Sequence, residues 1–230
     1  MENVTSRILI SDKDLSIERY PQNNGMDAFS WFRISNSPYY TFPEGLEVES
    51  GEVIYSLIRM MKAKRILETG TRVGISTRYM AYALLDNCLG GEITTIERCG
   101  ISYNYSREKI TSAGLDDFID CINAGSLDED IIFLDNEFDI LFLDTEPEYR
   151  YAELMKFFRC LRVGGLIVIH DLSDLYCEKF CAPYDSCLPM AIKQLLSDGI
   201  LSSMSFKTCS GLTIMQKNSQ PLWERKHERI

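Results

Sequence analysis

No apolar run in this 230-residue chain approaches the roughly 20 residues that a membrane span needs, so no role in a membrane is expected. The opening Met1-Glu2-Asn3-Val4 has neither the basic nor the apolar region of a secretory signal, which makes a cytoplasmic protein the expectation. Basic clusters are missing too. Lys and Arg number 24 against 34 Asp and Glu, a net charge of −10 with a pI near 4.8. That balance argues against nucleic acid or an anionic membrane surface as the main partner. Histidine is scarce: the chain has two. The eight cysteines make no zinc pattern. Cys88, Cys99, Cys121, Cys160 and Cys209 are scattered singly and read as reduced thiols acting as small hydrophobes. Cys177, Cys181 and Cys187 follow C-x3-C-x5-C, which fits no metal spacing and reads as a cysteine-bearing loop. Internal repeats and low-complexity segments are absent.

What remains is 45% hydrophobic, enough for one sizeable core with little left for a second. Residues 1–47 are polar and irregular, apart from an aromatic cluster of Phe29, Trp31, Phe32, Tyr39, Tyr40 and Phe42. They are expected as a lid or cap, or as a segment packed on the surface. Residues 48–218 form the main domain and 219–230 a tail. From Val48 the periodicity is regular. Helices are expected over Glu52–Met61, Ser76–Leu85, Tyr103–Ala113, Leu127–Ile132, Glu148–Leu161 and Met190–Asp198. Strands are expected over Arg65–Leu67, Glu92–Glu97, Phe118–Ile122, Phe138–Leu143 and Gly165–His170, with a closing hairpin of Met204–Lys207 and Leu212–Gln216. Alternation of this kind indicates an α/β, Rossmann-like doubly wound sheet of about seven strands, mostly parallel with a terminal antiparallel hairpin.

Ligands of such sheets bind outside the carboxyl ends of the strands, so the residues there carry the information. Ala63 to Thr77 reads as a strand, a carboxylate at Glu68, a turn with Gly70, Thr71 and Gly74, and a helix with Ser76 in its first turn. Two glycines fall short of the G-x-G-x-x-G dinucleotide fingerprint, and Glu68 would repel a pyrophosphate. A ligand with a cationic amino group and an adenosine suits the turn better, namely S-adenosylmethionine. The bare backbone at Gly70 allows close approach, and the helix start after Gly74 suits a carboxylate. Glu97 ends the second strand, where a carboxylate can accept from two ribose hydroxyls. Gly125 and Ser126 form a small-residue turn after the third strand, Asp144 ends the fourth and Asp171 the fifth. Each has a plain alternative: a tight turn, a solvated strand end, or a helix cap. Together, in this order, they favour the cofactor.

Residues 48–216 resemble the class I S-adenosylmethionine-dependent methyltransferases, and within them the small-molecule O-methyltransferases of the catechol and caffeoyl-CoA type. The resemblance rests on Gly51 ahead of the first strand, on Phe138-Asp139-Ile140-Leu141-Phe142-Leu143-Asp144, and on Leu161-Arg162-Val163-Gly164-Gly165-Leu166-Ile167-Val168-Ile169-His170-Asp171. It implies that Glu68, Gly70, Ser76, Glu97 and Ser126 contact the cofactor, and that Asp144 and Asp171 ligate Mg²⁺ or another divalent cation. Two positions depart from that pattern. The asparagine that supplies the third metal ligand is Leu172 here, and the lysine base is Pro147. Asp144, His170 and Asp171 are then the candidate catalytic residues. Strand alternation, however, sends His170 away from the cleft if Asp171 faces it, unless the strand has already ended. The loop from Leu172 to Leu188, with Tyr176, Phe180 and Tyr184, would join Trp31, Tyr39 and Tyr40 in shaping an apolar acceptor pocket.

The function this implies is methyl transfer to a hydroxyl of a small organic acceptor, with or without a metal. Transfer to nitrogen or to a protein side chain stays open, as does an inactive cofactor-binding regulator. Dimers are common among enzymes of this kind, so a homodimer is an option that no residue decides.

Overall fold

The structure, a computed structural model, describes residues 46–172, 187–206, 208 and 210–221. The expected lid aromatics, the loop aromatics Tyr176, Phe180 and Tyr184, and the cysteines Cys177, Cys181 and Cys209 lie outside the described residues. Helices α1 (Val48–Met61), α2 (Ile75–Asn87), α3 (Gly100–Ser112), α4 (Pro147–Phe157) and α5 (Cys187–Ser197) alternate with strands. The strands are β1 (Arg65–Thr69), β2 (Glu92–Ile96), β3 (Ile119–Ile122), β4 (Phe138–Leu143), β5 (Leu161–His170), β6 (Leu201–Phe206) and β7 (Leu212–Lys217). They form one seven-stranded sheet in the order β3-β2-β1-β4-β5-β7-β6. The pairs β2–β3, β1–β4 and β4–β5 are parallel, whereas β7 runs antiparallel to both β5 and β6. The expected architecture stands.

Two compact units divide the described residues. One holds residues 46–64 and Thr71–Asn123; the other holds Arg65–Gly70 and the residues from Ala124 onward. In the first, α1 buries Ile54, Tyr55 and Ile58 against α2. They meet tightly at Gly51, where an added Cβ would lie 2.5 Å from the Tyr79 ring. Asn87 ties the helices by donating to the Ile58 carbonyl at 3.1 Å. In the second, β4 is buried along nearly its whole length, as a strand covered on both faces should be.

Three expected elements differ. Leu127–Ile132 is not a helix but two turns. The Asp128 carboxylate folds back to accept the Gly125 N–H at 2.8 Å, and a short side chain that bonds local backbone competes with helix. Helix α4 stops at Phe157 and gives way to a 3-10 turn over Phe158–Cys160. The buried Lys217 ammonium caps that end, donating to the Phe158 and Leu161 carbonyls at 2.8 Å each. Strand β5 therefore begins four residues earlier than expected. Gly165, expected as the first residue of the strand, lies with Gly164 in a bulge inside it, where Phe138 pairs with Leu161 and Ile140 with Leu166.

Candidate functional site

In the first unit the glycine turn is held by a carboxylate. Arg72 adopts φ 49° and Gly74 φ 74°, a path that closes with Gly74 N–H donating to the Thr71 carbonyl at 2.7 Å. One Glu97 oxygen accepts the Arg72 N–H and the other the Cys99 N–H, both at 2.7 Å. Asn123 fixes the same segment by donating to the Glu97 carbonyl at 2.7 Å. A carboxylate has about four lone-pair sites, so each Glu97 oxygen keeps one for a further donor. The hydroxyls of Thr71 and Thr95 lie 2.5 Å apart, and Ser76 is buried at the start of α2. Gly74 leaves room for α3, because a Cβ there would come within 3.3 Å of Ser106 Cβ.

In the second unit the strand order reverses between β1 and β4, the position at which sheets of this class bind ligands. Glu68 is fully buried in β1. Gly70 follows with φ 88°, and a Cβ there would lie 2.5 Å from the Asp144 carbonyl oxygen. Glycine is therefore required twice over, by conformation and by space. Asp144 follows β4, and its Oδ1 stands 3.1 Å from Nδ1 of His170. Asp171 Oδ1 is 3.4 Å from the same nitrogen. His170 and both aspartates thus come together, the case left open for a strand that ends at His170. Asp171 has φ 58°, so the strand has ended and alternation no longer governs its side chain. Gly125 and Ser126 lie in the turn closed by Asp128, and the Ser126 hydroxyl donates to Glu153.

Two residues of α4 organise this unit, and the sequence analysis missed both. Arg150 is buried. Its Nε donates to the Thr145 carbonyl at 2.7 Å and its Nη1 to the His170 carbonyl at 2.8 Å. Its Nη2 stands 3.7 Å from Asp144 and 3.6 Å from Asp171. Glu153 is fully buried and accepts the hydroxyls of Thr69 at 3.1 Å, Thr145 at 2.7 Å and Ser126. Burial pushes its carboxyl above the usual range, opposed by those three hydroxyls and by Arg150. A helical signal existed: Arg150, Leu154 and Phe157 follow i, i+4, i+7, and Glu153 precedes Phe157 by four. Both charges fall on the buried stripe.

Asp144, His170 and Asp171 each offer an atom within 4.8 Å of the others, a spacing that a cation could bridge. The surrounding charge does not fit one. Both carboxylates already face the Arg150 guanidinium, which stays charged at any working pH. His170 Nδ1 is engaged with Asp144, and Leu172 brings no side-chain donor where the resemblance implies an amide.

Residues 67–172 match a family model described as a methyltransferase domain. Among curated proteins, the chain is 29% identical over 127 residues to a caffeoyl-CoA O-methyltransferase of Populus kitakamiensis, covering 52% of each. It is 25% identical over 127 residues to a catechol O-methyltransferase of Mycobacterium tuberculosis, covering 55% of this chain and 56% of that one. The chain spans about half the length of the curated relatives it matches. An O-methyltransferase from Bacillus cereus, solved in complex with SAH, shares the fold at a TM-score of 0.67 and 18% identity, over 94% of this chain and all of that one. Residues 67–172 thus match a methyltransferase domain, and the sheet they build has the fold of the O-methyltransferase solved with SAH.

Proposed function

We propose that this protein is an S-adenosylmethionine-dependent O-methyltransferase acting on a hydroxyl of a small organic acceptor. The observation that carries the reading is the His170–Asp144 pair, an imidazole hydrogen-bonded to a carboxylate beyond β4 and at the end of β5. Relatives named for catechol and caffeoyl-CoA support an oxygen acceptor.

Bound S-adenosylmethionine supplies a methyl group on a positively charged sulfur, open to displacement by an oxygen nucleophile. The chain's residues have two tasks, to hold that cofactor and to take the hydroxyl proton. Glu97, with an acceptor site left on each oxygen, takes the ribose hydroxyls. Thr71, Gly74 and Ser76 belong to the turn and helix start that suit the methionine carboxylate. Glu68, Gly70, Gly125, Ser126 and Asp144 are the cofactor residues of the other unit. Glu68, buried at the end of β1, offers a carboxylate of the charge that suits the cationic amino group.

His170 is the base. With Nδ1–H donated to Asp144, Nε2 is the basic nitrogen, and Asp144 stabilises the imidazolium that forms. Asp171 adds a second carboxylate beside the same ring. Arg150 fixes the three by gripping the His170 carbonyl and facing both acids. No step is assigned to a divalent cation, for the reason of charge given above.

A panel of phenolic, aliphatic hydroxyl and amine acceptors, incubated with methyl-labelled S-adenosylmethionine and followed by mass spectrometry, tests the reading. Label on an acceptor oxygen, lost in His170→Ala, supports it. Label on nitrogen acceptors alone contradicts it.

A further inference from the structure

We propose that Arg150 is the built-in cation of the Asp144–Asp171 pair, and that this chain has exchanged the divalent metal of the enzymes it resembles for a fixed guanidinium. The inference rests on reading the ends of β4 and β5 as the reaction centre.

The two aspartates come from different strand ends and face a common point. Two carboxylates brought together repel unless a positive charge lies between or beside them. A divalent cation is one solution, taking oxygen donors at about 2.0–2.6 Å. Here Nη2 of Arg150 provides another, 3.7 Å from Oδ1 of Asp144 and 3.6 Å from Oδ2 of Asp171.

The guanidinium is held there by its other nitrogens. Nε donates to the carbonyl of Thr145, directly after Asp144, and Nη1 to that of His170, directly before Asp171. Each anchor is thus the backbone next to one of the two acids. The Arg150 side chain is 6% exposed, so swinging into solvent would abandon both hydrogen bonds and leave buried carbonyls behind. A metal entering between the acids would meet the Arg150 charge within a few ångströms, well shielded on the Asp144 side although the Asp171 side chain is half exposed.

The first turn of α4 is consistent with this exchange. Where the resemblance implies a lysine base, Pro147 occupies the first helical position, for which its fixed φ and missing N–H suit it. Three residues on, Arg150 projects from the same helical face. Leu172 serves structure instead of ligation, its carbonyl accepting the Thr213 hydroxyl at 2.6 Å. The third donor, His170 Nδ1, would have to give up Asp144 to bind a metal. Arg150 is therefore a positioning residue: it holds both acids beside the imidazole.

Manganese occupancy tests this without reference to turnover. The full chain is stripped with EDTA, dialysed, and titrated with MnCl₂ while free Mn²⁺ is followed by electron paramagnetic resonance. The expected result is no saturable site in the wild type at millimolar Mn²⁺, and a site gained in Arg150→Met, at least about tenfold tighter, as the like charge leaves. Arg150→Lys, which keeps the charge, stays metal-free. Stoichiometric wild-type binding that is lost in Asp144→Asn or Asp171→Asn overturns the proposal. So does a folded Arg150→Met that gains no site. If Arg150→Met does not fold, the wild type decides against its Asp144→Asn control: binding that this control abolishes overturns the proposal. Mn²⁺ bound equally by that control lies elsewhere and, like no binding, supports it. Failure of the methyltransferase reading is separately visible as absent S-adenosylhomocysteine binding, whatever the manganese result.

Discussion

Nδ1 of His170 lies 3.1 Å from Oδ1 of Asp144, although the residues are 26 positions apart in sequence. The parallel pairing of β4 with β5 brings them together, and the left-handed turn at Asp171 adds the second acid. If His170 takes the acceptor proton, His170→Ala lowers kcat by about 10²- to 10⁴-fold and leaves S-adenosylhomocysteine affinity unchanged. Asp144→Asn, which presents the wrong partner to Nδ1–H, lowers kcat as well. A wild-type kcat in His170→Ala places the base elsewhere.

Glu153 gives a pH dependence whose sign is fixed. Burial raises its carboxyl above the ordinary glutamate range, and the Ser126, Thr145 and Thr69 hydroxyls only partly offset this. The folded state then binds this proton more tightly than the unfolded chain. Its contribution is complete below the ordinary glutamate pKa and is lost as pH rises from there through the raised value. Glu153→Gln removes that loss. Urea midpoints measured upward from about pH 4 should fall more steeply for the wild type than for Glu153→Gln. Parallel curves count against the raised carboxyl.

Gly70→Ala places a methyl 2.5 Å from the Asp144 carbonyl at φ 88°. Backbone strain and overpacking together predict a loss of about 2–5 kcal/mol in unfolding free energy. Gly90 is the control. It has φ 67° but nothing within 4 Å of an added Cβ, so Gly90→Ala should cost only about 1–2 kcal/mol. Denaturant unfolding of the two variants measures the difference, and equal losses would remove the close contact as its cause.

Cys99 and Cys160 should differ sharply as nucleophiles. Cys99 is exposed at the start of α3, and hydrogen bonds from Ser102 and Ile101 hold its thiol below the ordinary value. Burial pushes Cys160 up to about 11. Peptide-resolved alkylation near neutral pH should label Cys99 well before Cys160, because the thiolate is the reacting form. The reverse order would contradict these surroundings.

Much of this was legible in the sequence, for identifiable reasons. Phe138–Leu143 is apolar at every position but Asp139 and emerges as a buried central strand. Gly70 carries its meaning alone, since φ and space both demand glycine. The start of β5 was misplaced at Gly165 because a glycine pair ordinarily interrupts a strand, while a bulge uses the same freedom inside one. Asp128 misled because its fold-back onto Gly125 is a local side-chain choice that periodicity does not register.

Arg150 and Glu153 were the larger omission. On a helix, charged residues usually mark the solvated face, and only their spacing from Leu154 and Phe157 distinguishes these two. Their roles depend on partners brought from β1, β4, β5 and the Ser126 turn, contacts that exist only once the strands are assembled. The structure brings together Asp144 and Asp171, which the resemblance names as a pair. It could not show that an arginine faces both.

Every role proposed above depends on S-adenosylmethionine binding, which calorimetric titration of the protein with S-adenosylhomocysteine measures. Saturable binding to one site is expected, equal in EDTA and in Mg²⁺, and weakened by Glu97→Ala. No binding in either buffer would contradict it.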